Sequence, residues 1–125
     1  MPRHASPMLT ESELRLMRVL WEKGDASVSD VVDGLPEGER PAYNTVLTTL
    51  RILERKGQVE HRKTGRAFVY RALVDRSHAR HSAREYVVNR FFDGAPDLLV
   101  LNVLEDDEIS ADVLASLKKR ITESE

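Results

Sequence analysis

Apolar residues along this chain recur first at helical spacing, then at every second position, then at helical spacing again. Thr10-Glu11-Ser12-Glu13 has the form of a capping box, in which the threonine hydroxyl meets an orphan backbone N–H while the glutamate reaches back. Leu14, Met17, Leu20 and Trp21 follow as one apolar stripe, and Gly24 stands where a left-handed terminal residue is wanted, predicting a helix over about 10–23. Ser27-Val28-Ser29-Asp30 repeats the start signal ahead of Val31, Val32 and Leu35, and Gly34, Pro36 and Gly38 keep that second helix short. Beyond Pro41, a stripe of Val46, Leu50 and Leu53 closed by Gly57 predicts a third helix over about 42–56.

From Gln58 the period falls to two, which predicts a β-hairpin over 58–71. A two-residue turn at Thr64-Gly65 would set Lys63 opposite Arg66, His61 opposite Phe68 and Val59 opposite Tyr70, with the large apolar side chains on one face. Asp75 can cap a longer helix in which Ala79, Ala83, Tyr86, Val87 and Phe91 share a face, ending at Gly94. Pro96 opens a helix that is apolar on every side except at Asn102, so it needs cover all round. Ser110 caps a last helix over about 111–122, carrying Leu114, Leu117 and Ile121. The predicted class is mostly α with a small β-hairpin wing: a winged helix-turn-helix domain at 1–74, then a helical dimerisation region at 75–125.

Charge changes this picture more than composition does. The net charge of −2 is a poor guide, because residues 51–90 hold 11 Lys/Arg against 4 Asp/Glu, while 91–125 hold 3 against 9. The basic block covers the end of the third helix, the hairpin and most of the helix after it. Cysteine is absent, which removes disulfides and thiolate metal sites. Residues 1–8 lack the apolar stretch of a signal peptide and no run approaches a membrane span, so the expected location is cytoplasmic.

In a helix-turn-helix the second helix of the pair enters the major groove. Away from its apolar stripe, that helix offers Tyr43, Asn44, Thr45, Thr48, Thr49 and Arg51, side chains suited to base edges and phosphates. Any one of these beside a helix start is more simply a cap. Their clustering ahead of a hairpin tip with Lys63 and Arg66 points to nucleic acid instead, the tip cations meeting phosphates or the minor groove.

The stretches LTESELRLMRVLWEKG, YNTVLTTLRILERKG, GRAFVYRA and RFFDGAPDLLVLNVLEDDEIS resemble the penicillinase-repressor family, the BlaI/MecI/CopY type of bacterial transcriptional repressor, over nearly the whole chain. The resemblance implies a homodimer on a palindromic operator. Asn44, Thr45, Thr48 and Arg51 would contact DNA from the reading helix, and Lys63 and Arg66 would contact its backbone. It implies a C-terminal dimer interface, for which Tyr86, Phe91, Leu98, Leu101, Leu104, Leu114 and Leu117 are the candidates. In the lactam-responsive branch a membrane sensor metalloprotease system triggers cleavage at an Asn-Phe bond. The pair here is Asn102-Val103, and valine would underfill a pocket that selects an aromatic ring. The copper-responsive branch uses a C-terminal cysteine cluster that this chain lacks.

No cofactor and no metal is expected. His78 and His81 are three apart on a helix with only His61 as a distant third ligand, and the run Glu105 to Glu108 lacks the spacing of a calcium loop. No spaced nucleophile, base or carboxylate pair suggests an enzyme. The competing function is a winged-helix protein-interaction module whose basic block docks on an acidic partner without reading DNA sequence.

Overall fold

A computed structural model of the chain describes residues 8–106 and 108–124. The elements run α1 (Glu11–Lys23), β1 (Ala26–Ser27), α2 (Val28–Gly34), a 3-10 turn (Glu37–Glu39), α3 (Tyr43–Arg55), β2 (Val59–Thr64), β3 (Ala67–Ala72), α4 (Arg76–Phe91), α5 (Pro96–Leu104) and α6 (Ala111–Glu123). No described helix is long and apolar enough to cross a membrane. Asp107, part of the acidic run, and residues 1–7 lie outside the described residues.

The helix starts follow the local chemistry. Thr10 and Ser27 both head complete capping boxes, with Glu13 and Asp30 closing them, and Ser110 accepts from the Val113 N–H at 3.2 Å. Asp75 accepts from the His78 N–H at 2.7 Å at the head of α4. Gly34 ends α2 against α1, where an added Cβ would come within 2.6 Å of the Val19 side chain, so its missing side chain lets the two helices close up.

The described chain separates into two compact units that divide within α4, one up to Arg84 and one from Glu85. In the first, Leu16, Met17 and Leu20 of α1, Val31 of α2, Val46, Leu50 and Leu53 of α3, and Val59 and Tyr70 of the sheet form one buried cluster. Each such side chain contributes about 1.5–3 kcal/mol through burial. The stripe read from the sequence shifts on α1: Leu16 and Val19 are buried, while Leu14 and Trp21 are only half-buried. The helix packs on α2, α3 and the sheet through one face and turns Leu14, Arg18 and Trp21 along another.

Polar anchors tie this unit together. Glu13, 3% exposed, accepts from Lys56 Nζ at 2.7 Å, which joins the start of α1 to the end of α3. Burial alone would push the Glu13 carboxyl up. Hydrogen bonds from Lys56 and Thr10, with the lysine's charge, outweigh it and hold the group below its ordinary value. Arg40 donates to the Leu35 and Asp33 carbonyls, both at 2.9 Å, closing the end of α2 and fixing the chain that feeds α3.

The hairpin differs from its expected register. Thr64 pairs with Ala67, Lys63 with Phe68, His61 with Tyr70 and Val59 with Ala72, so the turn is Gly65-Arg66. Gly65 has φ 62° and takes the first loop position, where a II′ turn needs glycine. A turn at Thr64-Gly65 of the I′ kind would have forced the β-branched Thr64 to positive φ. The slip moves the turn by one residue but keeps Val59, His61, Phe68 and Tyr70 on one face. The sheet also has a third strand: β1 pairs with β3 through Ala26–Tyr70 and Ser27–Val69, giving the order β1-β3-β2.

The second unit has a different character. Val88 is buried, but α5 and α6 bury no residue in the single chain.

Candidate nucleic-acid interface

α3 turns its two sides to different surroundings. Val46, Leu50 and Leu53 are buried without exposed surface, while Tyr43, Asn44, Thr45, Thr48 and Arg51 are exposed. Asn44, Thr48, Arg51 and Arg55 recur at i, i+4, i+7 and i+11, which sets them along one outer stripe opposite the buried ridge. Thr45 lies on the flank of that stripe. Thr49 is half-buried, closer to the ridge than its expected role requires. Arg55, exposed and in line with Arg51, belongs to the same face and was not among the residues expected there.

None of the polar residues at the start of α3 serves as a cap. The cap position is Ala42, which offers no side-chain bond, so the first turn of the helix carries uncapped N–H groups next to Tyr43 and Asn44. Thr48 and Thr49 instead donate their hydroxyl protons backward, to the Asn44 and Thr45 carbonyls at 2.9 and 3.0 Å.

The hairpin is held against α3 by its apolar face. Leu47, Arg51 and Glu54 of the helix and His61, Phe68 and Tyr70 of the hairpin line one small cleft. Glu54 accepts from the His61 backbone N–H at 3.0 Å and pairs with its ring Nδ1 at 2.7 Å. The His61 ring meets Phe68 edge-on at 5.3 Å and Tyr70 at 5.4 Å. Burial pushes the Tyr70 phenol up, and the Glu54 charge adds to this. Lys63 projects from the same sheet face as His61, two pairs nearer the tip, so it leans to the α3 side of the hairpin. Arg66 occupies the turn itself, where the corrected register puts it.

The cations of this region fall into two groups. Arg62 pairs with Asp25 at 2.9 Å, Arg71 pairs with Glu60, and Lys56 pairs with Glu13. Among the described residues, Arg51, Arg55, Lys63 and Arg66 form no ion pair. All four are exposed, on the outer stripe of α3 and at the hairpin tip. Positive charge without an internal counter-charge is what a polyanion requires of a surface.

The remaining candidates lie apart. His78 and His81 are exposed on α4, and His81 shares its Nδ1 with Arg84. Among the described residues no three His, Cys, Asp or Glu side chains are placed to hold a metal. Of the dimer candidates, Phe91, Leu98, Leu101 and Leu117 are exposed, and Tyr86, Leu104 and Leu114 are half-buried. Val100, Val103, Val113 and Ile121, which are not among those candidates, are equally uncovered. Asn102 and Val103 sit in the last turn of α5 with their side chains exposed.

The profile of the family described as penicillinase repressor matches residues 9–123. The chain is 31% identical over 117 residues to the penicillinase repressor of Bacillus licheniformis, covering 94% of this chain and 91% of that one. It is 24% identical over 110 residues to the methicillin resistance regulatory protein MecI of Staphylococcus aureus (strain N315), covering 88% and 89%. The solution structure of the DNA binding domain of the repressor BlaI superposes with a TM-score of 0.51 at 31% identity, covering 60% of this chain and 92% of that one.

Proposed function

Because the chain belongs to the penicillinase repressor family, we propose that it is a DNA-binding transcriptional repressor that acts as a homodimer on a palindromic operator. The observation that carries this is the co-location of Arg51, Arg55, Lys63 and Arg66, none of them ion-paired among the described residues, around the exposed Asn44, Thr45 and Thr48. In this reading the outer stripe of α3 enters the major groove, with Asn44, Thr45 and Thr48 at base edges and Arg51 and Arg55 reaching bases or phosphates. The hairpin tip straddles the adjacent backbone. Tyr43 flanks the entry, and the half-buried Thr49 acts through the packing of the helix.

Pairing of two copies through the C-terminal helices would place two reading helices about 34–36 Å apart, one turn of DNA, and so occlude a promoter. The supporting observation is that α5 and α6 leave Leu98, Val100, Leu101, Val103, Val113 and Leu117 exposed in one chain, while a monomer rarely exposes such a patch without use for it. The domain assignment follows the same division of labour, with residues up to 74 carrying the DNA-reading parts and 75–125 the pairing helices.

Relief of repression by cutting Asn102–Val103, downstream of a membrane sensor metalloprotease system, belongs to the same proposal. Nine residues without a buried side chain make α5 easy to open once its partner surface is lost, and a protease needs extended backbone.

The test is fluorescence anisotropy on a labelled duplex from the promoter of the gene itself, against a scrambled duplex, across 50–200 mM salt. Four cations from each copy predict a slope of log K on log salt of up to about −7, with a preference for the promoter of about 10³ or more. Equal affinity for both duplexes would instead indicate the interaction-module function.

A further inference from the structure

Between α1 and the first turns of α4 lies a cleft that belongs to neither the reading face nor the uncovered C-terminal helices. α1 turns Leu14, Arg18 and Trp21 into it at i, i+4 and i+7. α4 contributes Arg76, Ala79, Arg80 and Ala83 at i, i+3, i+4 and i+7. Alanine is the only side chain that α4 places between and beyond its arginines, so the helix does not fill the gap and about 550 Å³ stays open. That lies within the range of small-molecule sites, roughly 300–1,000 Å³.

The lining joins two chemistries. Leu9, Leu14 and the Trp21 ring form an apolar floor, and three guanidinium groups stand around it with no aspartate or glutamate among the lining residues. Arg76 lies over the Trp21 ring, 5.4 Å from its centroid. Among the described residues Arg18, Arg76 and Arg80 form no ion pair. Arg76 and Arg80 are also four residues apart on one helix, a like-charge spacing that opposes the helix unless an anion lies between them. The indole N–H donates to the Val74 carbonyl at 2.8 Å, so the ring is oriented before any ligand arrives.

We propose that this cleft binds a small amphipathic carboxylate, with its apolar body on Trp21, Leu14 and Ala83 and its carboxylate between Arg18 and Arg80. The apolar floor disfavours a bare inorganic anion, and the three cations disfavour a neutral oil.

Trp21 is the only tryptophan in the sequence, so intrinsic emission reports the cleft directly. The full chain is titrated at constant ionic strength with octanoate, and in parallel with octanol, acetate and inorganic phosphate. Octanoate is expected to shift Trp21 emission saturably and to bind at least about tenfold more tightly than the other three. Arg18→Gln combined with Arg80→Gln should raise its Kd by about tenfold or more with the thermal midpoint unchanged. Ala83→Leu, which fills the space, should abolish the response.

The proposal is overturned by no saturable response to octanoate, by an equal response to octanol or phosphate, or by an unchanged Kd in the double variant. Emission that depends on protein concentration alone and blocks octanoate would overturn it too, by assigning the cleft to a second copy. The titration contains no DNA, so its failure is distinguishable from failure of the operator reading.

Discussion

Met17, Leu50 and Leu53 in the N-terminal unit expose none of their surface, whereas Leu101 and Ile121 in the C-terminal unit expose 52% and 57%. The residue types are alike and their situations opposite. The first unit closes a core around itself from three helices and a sheet, and its polar surface is free to vary with the partner it reads. The second carries a helix that is apolar all round, with no core of its own to put it in. If a second copy covers that helix, as proposed above, the fold is locally complete in one part and dependent on mass action in the other, and stability of the second part should rise with protein concentration.

The contrast is tested most severely by Leu101→Asp. If α5 is buried by a second copy, two uncompensated charges enter each dimer, at about 3–5 kcal/mol apiece. Sedimentation should then show monomer where the parent is dimeric, with the far-UV signal of the N-terminal unit retained. Unfolding of the first unit as well would erase the distinction between the units.

Leu50→Ala attacks the other side of the comparison. It empties a fully buried site, and about 2–5 kcal/mol should be lost in denaturant unfolding. The loss should not depend on protein concentration if the core belongs to one chain.

Acid titration sharpens the picture within the first unit. The folded Glu13 carboxyl lies below its unfolded value of about 4.3. Its contribution is therefore complete above that pH and disappears as pH falls through the lower, folded value. Glu13→Gln should be less stable at pH 7 by about 1–3 kcal/mol and should lose less on acidification than the parent, measured by urea midpoints from pH 7 to 3.

Arg51→Ala should weaken operator binding by about 1–3 kcal/mol and leave the dimer intact, as anisotropy and sedimentation on one preparation would show. Gly65→Ala is expected to have the smallest effect. Its φ of 62° penalises any Cβ by about 1–2 kcal/mol, but an added methyl meets nothing within 4 Å, so the loss is confined to the hairpin.

The sequence was most legible where structure is decided locally. Thr10, Ser27 and Ser110 announced three helix starts through their own hydrogen bonds, and the outer face of α3 followed from the spacing of Val46, Leu50 and Leu53. The misses came where distant segments meet. Two residues of β1 cannot signal a strand without β3 beside them, and Glu13 had already been given a role as a cap before Lys56, 43 positions away, could be seen to pair with it. The turn slipped because Thr64-Gly65 and Gly65-Arg66 preserve the same face alternation, leaving only the positive φ that the first would force on Thr64 to choose between them. Arg55 was overlooked because a basic residue in a last helical turn is already accounted for by the dipole.

The back-bonded hydroxyl of Thr48 limits the vocabulary with which α3 can address a base pair. Its proton is committed to the Asn44 carbonyl, which leaves lone pairs and a methyl group pointing outward. Such a group welcomes the exocyclic amine of adenine or cytosine, or the thymine methyl, and has nothing to offer the guanine O6 and N7 acceptors. At the position under Thr48, guanine should be the base the protein tolerates least.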